Sequence, residues 1–161
     1  MSDGAPSRAR LGLLAVLTAA AWVALVVAVW GILSLLLNAD VIVQADAGPI
    51  LGPVMVAVAA VALLLLVLRV MRTGESSVLA FFGTAAAVYL LLLVVGGIGY
   101  TFIRGQVLWL LAFPLGYSVS PFMVAAALLA GLAAVLARSI GRAEERGDQR
   151  PRWPWEDPFD E

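Results

Sequence analysis

Apolar and polar positions in this chain do not alternate at the period of a surface helix or a half-buried strand. They gather into long apolar blocks with short polar breaks. Residues 11–37 hold no charge at all, and a helix needs only about 20 apolar residues to cross a bilayer. Residues 50–69 form a second block, closed by Arg69, with Pro53 in its first turn, where a missing N–H costs nothing. Residues 78–103 form a third, with Gly96, Gly97 and Gly99 near its end. The polar breaks at 38–49 and 70–77 carry Asp40 and Asp46 in the first and Arg72, Gly74 and Glu75 in the second. Each block predicts a membrane-spanning helix.

The last apolar run, 107–137, would be about 46 Å long as one helix. That exceeds one crossing and falls short of two. Pro114, Gly116 and Pro121 lie in its first half, and proline disrupts a helix interior. The expected arrangement is a short helix over 107–113 near the outer surface, a bend over 114–120, and a fourth span over 121–140. A continuous helix from 107 to 137 is excluded on this reading. Residues 1–10 are then a polar lead and 141–161 a polar tail ending in RPRWPWEDPFDE, whose prolines and mixed charge predict an extended or disordered end. Arg8, Arg10 and Ala19-Ala20-Ala21 resemble a cleavable signal, but apolar residues continue well past Ala21, beyond the roughly 7–15 of a signal core. An uncleaved first span is expected. The fold class is all-α, a four-helix transmembrane bundle with a short outer-interface helix before the last span.

Arginine placement orients it. With four spans and the N-terminus inside, Arg8, Arg10, Arg69, Arg72, Arg138, Arg142, Arg146, Arg150 and Arg152 fall on the cytoplasmic side, and Arg104 alone outside, as the positive-inside rule requires. A fifth span would leave four arginines inside and six outside. Both termini are therefore expected in the cytoplasm of a cell-membrane protein.

Composition narrows the chemistry. Hydrophobic residues make up 63% and charged residues 13%, against roughly 45–50% and 25% in soluble domains. There is no Cys and no His. Thiol nucleophiles, thiolate metal sites and His-based catalysis are thus excluded, and no catalytic, cofactor-binding or metal-binding residue is assigned. A basic nucleic-acid footprint is absent. No Asp, Glu, Arg, Lys or His lies in the middle of any span, where ion-coupled carriers keep such groups at a cost of roughly 2.5–3.5 kcal/mol. The neutral polar residues Thr18, Ser34, Thr84, Tyr89 and Thr101 are expected in backbone or interhelix hydrogen bonds. Rows of small residues, Ala20/Ala24/Ala28, Gly83/Ala87, Ala126/Ala130 and Ala127/Gly131, predict close helix packing within the bundle before dimerisation, although they also permit a homo-oligomer. Trp30, Tyr100, Phe102, Trp109 and Tyr117 fit an aromatic belt at the outer interface. Asp40 and Asp46 lack the further acids of a calcium site, and Arg104 could meet either across the surface.

The all-arginine basic set, the Ala/Val/Leu-rich spans and the tail RPRWPWEDPFDE resemble the small four-span membrane proteins of unknown function of high-GC Gram-positive bacteria. That resemblance implies a plasma-membrane location and no activity. The leading functional expectation is a non-enzymatic membrane protein acting through contacts, an accessory or partner-binding subunit. The alternative is a small-molecule or lipid transporter or channel component. The candidate partner-binding residues are Trp153, Trp155, Glu156 and Asp157: tryptophan is enriched at binding hot spots, and prolines lower the ordering cost on binding. The expected partners are the lipid bilayer and a protein held by this tail.

Overall fold

Five α-helices make up the computed structural model, which describes residues 8–42, 47–73 and 75–145. They are α1 (Arg8–Leu37), α2 (Leu51–Thr73), α3 (Ser77–Arg104), α4 (Trp109–Tyr117) and α5 (Pro121–Glu145), with no strand among the described residues. α1, α2, α3 and α5 are each long and apolar enough to cross a membrane. At 1.5 Å per residue they span about 45, 35, 42 and 38 Å. Their outward faces are apolar too, as at Leu17, Val27, Leu65, Phe82, Leu90 and Leu132. A water-facing surface would carry polar side chains there, so the chain is a multi-pass membrane protein.

The helix ends lie where local chemistry puts them. Asn38 takes a positive φ of 48° after α1, and the Ala39 N–H reaches back to Ser34 O at 3.2 Å; together they close the helix as a left-handed cap does. Ser76 caps α3 by accepting from Leu79 N, and Gly105, at φ 66°, ends it. Three boundaries of the spans fall several residues outside the blocks read from the sequence. α1 begins at Arg8, so Arg8–Arg10 are helical. α2 continues past Arg69 to Thr73, and α5 continues past residue 140 to Glu145. Arginine is a good helix former, so a charge that ends the apolar run does not end the helix. The short helix also differs: it runs from Trp109 through Pro114 to Tyr117, and the break is confined to residues 118–120.

The spans alternate in direction, so the start of α1, the α2–α3 turn and the end of α5 share one end of the bundle, the basic end. The α1–α2 loop and α4 share the other, the aromatic end. α5 packs on α1, α2 and α3. Trp22, Val26, Met55, Leu63, Val67, Val88, Leu92 and Met123 fill the space between the spans. Two indoles tie α1 to α5: Trp22 Nε1 donates to Ala126 O at 3.1 Å and Trp30 Nε1 to Phe122 O at 2.8 Å.

The rows of small residues divide. Ala126, Ala127, Ala130 and Gly131 are buried in the α5 interfaces. Ala20, Ala24 and Ala28 are exposed, and a Cβ on Gly83 would meet nothing within 4 Å. Those two rows therefore do not pack inside the bundle. α1 instead turns Ala15, Ala19, Trp22, Val26 and Trp30 inward, because the two indoles need the α5 carbonyls.

α4 runs back along α3. Its Trp109 ring meets Tyr100 edge-on at 5.0 Å, Phe113 lies over Gly96 and Pro114 over Gly97. Further along the chain, Ser118 O accepts from the Tyr89 hydroxyl. Pro114 removes the N–H that Leu110 O would otherwise receive; that carbonyl lies against Gly97, where a Cβ would sit 3.1 Å from it. At the break, Ser118 N donates to Pro114 O and Ser120 N to Tyr117 O, each at 2.9 Å. Irregular backbone at membrane depth must be satisfied in this way. The glycine-rich stretch of α3 is thus a site of close packing: Cβ atoms at Gly96 and Gly99 would lie 2.4 Å from Phe113 and Leu51.

Candidate functional site

The basic end holds a recess of about 250 Å³ lined by Leu11, Val70, Met71, Arg72, Thr73, Arg138, Gly141 and Arg142. Two helices supply its cations. Arg72 comes from the last turn of α2, and Arg138 and Arg142 come from successive turns of α5. Arg72 and Arg142 are exposed, whereas Arg138 is only 4% exposed, and its Nη1 donates to Ser77 Oγ at the start of α3. Arg138 follows Gly131 by seven residues and Ala134 by four, so it lies on the inward stripe of α5. Its guanidinium is drawn into the bundle end while its neighbours stay outside. Gly141 leaves room beside it; a Cβ there would meet only Met71 Sδ, at 3.8 Å. Thr73 Oγ1 donates to Arg69 O at 3.1 Å. Arg69 itself lies in a neighbouring recess with Glu75, Nη2 to Oε1 at 3.6 Å.

At the aromatic end, Tyr100 meets Trp109 edge-on and Phe113 at a tilt, and Phe113 and Tyr117 lie nearly parallel at 4.4 Å. Arg104 lies over the Tyr100 and Trp109 rings, 5.8 and 5.5 Å from their centroids. Its Nε donates to the Tyr100 hydroxyl at 3.1 Å. These contacts seat a cation on ring faces and join α3 to α4. Asp40 lines a separate cleft of about 520 Å³ with Leu37, Tyr117, Val119 and Phe122. Between the two ends the interior is apolar; among the described residues the buried polar side chains are Thr84 and, at the basic end, Arg138.

Residues 7–161 match a family of unknown function, DUF6121. The chain belongs to that family. No curated protein and no solved structure matches it. In this DUF6121 protein, the tail residues singled out from the sequence, Trp153, Trp155, Glu156 and Asp157, lie outside the described residues, as does Asp46. The recess is the feature that sequence reasoning missed. Arg72, Arg138 and Arg142 entered there only as votes for orientation. The signal that could have found it is the spacing of Arg138 from Gly131 and Ala134, which marks one arginine of the α5 end as inward-facing.

Proposed function

We propose that this protein is a non-enzymatic cell-membrane bundle that works through contacts, as an accessory subunit for a protein partner, with both termini in the cytoplasm. The observation that carries this reading is the interior: Trp22, Met55, Leu63, Val88, Leu92 and Met123 occupy the axis between the spans. A carrier needs polar or ionisable groups near the bilayer midplane to hold its cargo, and here that depth is filled with close-packed apolar side chains. The nine-to-one arginine division supports the orientation. The partner is held by the C-terminal tail, where Trp153 and Trp155 supply contact area and Glu156 and Asp157 supply charge. Affinity capture of the full-length chain from its native membranes tests this, beside a Trp153→Ala, Trp155→Ala version. A stoichiometric partner lost in the double variant is expected. Capture of lipid alone by both versions would refute the reading.

A further inference from the structure

We propose that the recess between α2 and α3, at the basic end, binds one acyl arm of a diacyl membrane phospholipid, whose ester carbonyl accepts a hydrogen bond from the Thr84 hydroxyl. Thr18, Thr73 and Thr101 each donate to the carbonyl four residues back, on Leu14, Arg69 and Gly97. Thr84 is only 2% exposed, yet it makes no such bond, nor any other to a described residue. Its oxygen is not sealed inside the bundle but opens on the recess. A hydroxyl taken from water and left without a partner is costly. An acceptor brought in by a ligand removes that cost.

Depth selects the acceptor. α3 is about 42 Å long against a hydrocarbon core of about 30 Å, so about 6 Å at each end lies beyond the core. Thr84 follows Ser77 by seven residues, about 10 Å along the helix. It therefore sits about 4 Å inside the edge of the hydrocarbon, just below the level at which a diacyl phospholipid holds its ester carbonyls. The recess has the shape for the chain that continues from such an ester. It encloses about 230 Å³, with Leu66, Ala80, Gly83 and Ala87 for walls. Gly83 and Ala87 are a small-residue row that the bundle leaves unpacked, and a Cβ on Gly83 would meet nothing within 4 Å. Leu79 and Gly83 are exposed, so the recess opens sideways to lipid. These side chains offer a water beside Thr84 no second hydrogen bond, whereas methylenes fit them. At the mouth Arg69 is paired with Glu75, so recognition rests on the carbonyl and the chain and not on headgroup charge.

Native mass spectrometry of the full-length chain in a maltoside detergent tests this, with a diacyl phosphatidylethanolamine titrated against the dialkyl ether of the same headgroup and chain length. The ether keeps the charge and the chains and loses only the carbonyls. One diacyl lipid should bind about fivefold more tightly than the ether, the worth of one ordinary hydrogen bond. Thr84→Val keeps the outline of the side chain and removes the donor, and it should bind the two lipids alike. Thr101→Val removes a hydroxyl already held by Gly97 O and should keep the fivefold preference. In the absence of lipid, Thr84→Val should melt no lower than the parent by helical circular dichroism, because its hydroxyl has no bond to lose. Equal binding of ester and ether by the parent would overturn the proposal, as would a preference that survives Thr84→Val or a melting point lowered by that substitution. A dimer of the parent that Thr84→Val dissociates would overturn it too, because the hydroxyl would then serve a second copy of the chain.

Discussion

At Gly131 α5 lies close against Phe81 of α3, and adding one methyl group there should force the two helices apart. A Cβ at Gly131 would lie 2.9 Å from Phe81 O and 2.9 Å from Phe81 Cδ2, where ordinary contact begins at 3.4 Å. The ring could swing away. The carbonyl belongs to the α3 backbone, so relief at that atom needs the helices to separate by about 0.5 Å. Overpacking of this kind costs about 1–3 kcal/mol. Alanine gains about 0.5–1 kcal/mol over glycine in a helix, so Gly131→Ala should destabilise by about 1–2 kcal/mol. Gly83→Ala brings the same helical gain with nothing within 4 Å of the new methyl and should be neutral or slightly stabilising. Unfolding of both variants in mild detergent, followed by helical circular dichroism, measures the difference. Stability of Gly131→Ala equal to or above the parent would refute the argument, as would an equal loss in Gly83→Ala.

Two further expectations concern the indoles and the orientation. Trp30→Phe keeps a ring in the α1–α5 interface but removes the N–H that reaches Phe122 O; the loss should be about 0.6 kcal/mol, the usual worth of a side-chain hydrogen bond within a membrane bundle. The same unfolding assay checks it, and no loss would mean that the carbonyl is satisfied by α5 alone. For orientation, the chain has no cysteine, so single cysteines report cleanly. In intact cells, Ser76→Cys and Ser139→Cys should be shielded from an impermeant maleimide and Gln106→Cys labelled, and the reverse pattern would refute cytoplasmic termini.

Four spans were legible in the sequence because the bilayer imposes a length. Apolar blocks at 11–37, 50–69 and 78–103 each exceed or approach what a crossing needs, and Pro114, Gly116 and Pro121 divide the last block. The exact break was less legible. Pro114 stays helical because Gly97 makes room for its ring and for the carbonyl that it leaves without a donor, a compensation supplied by another helix.

Which face points inward was legible on α5, where the rows Ala126/Ala130 and Ala127/Gly131 are buried, but not on α1 or α3, and the reason is physical. In water, polarity marks the outside of a helix; in lipid both faces are apolar, so hydrophobic periodicity loses its meaning and packing decides. Ala20, Ala24 and Ala28 looked like a packing row and face outward, while Trp22 and Trp30, large and polar-tipped, face inward because α5 offers them backbone carbonyls. The same holds for the arginines. Their number and side follow from the order of residues along the chain. The convergence of Arg72 with Arg138 and Arg142 on one recess exists only once α2 and α5 are packed together, because residues about 70 apart in sequence become neighbours through helix docking alone.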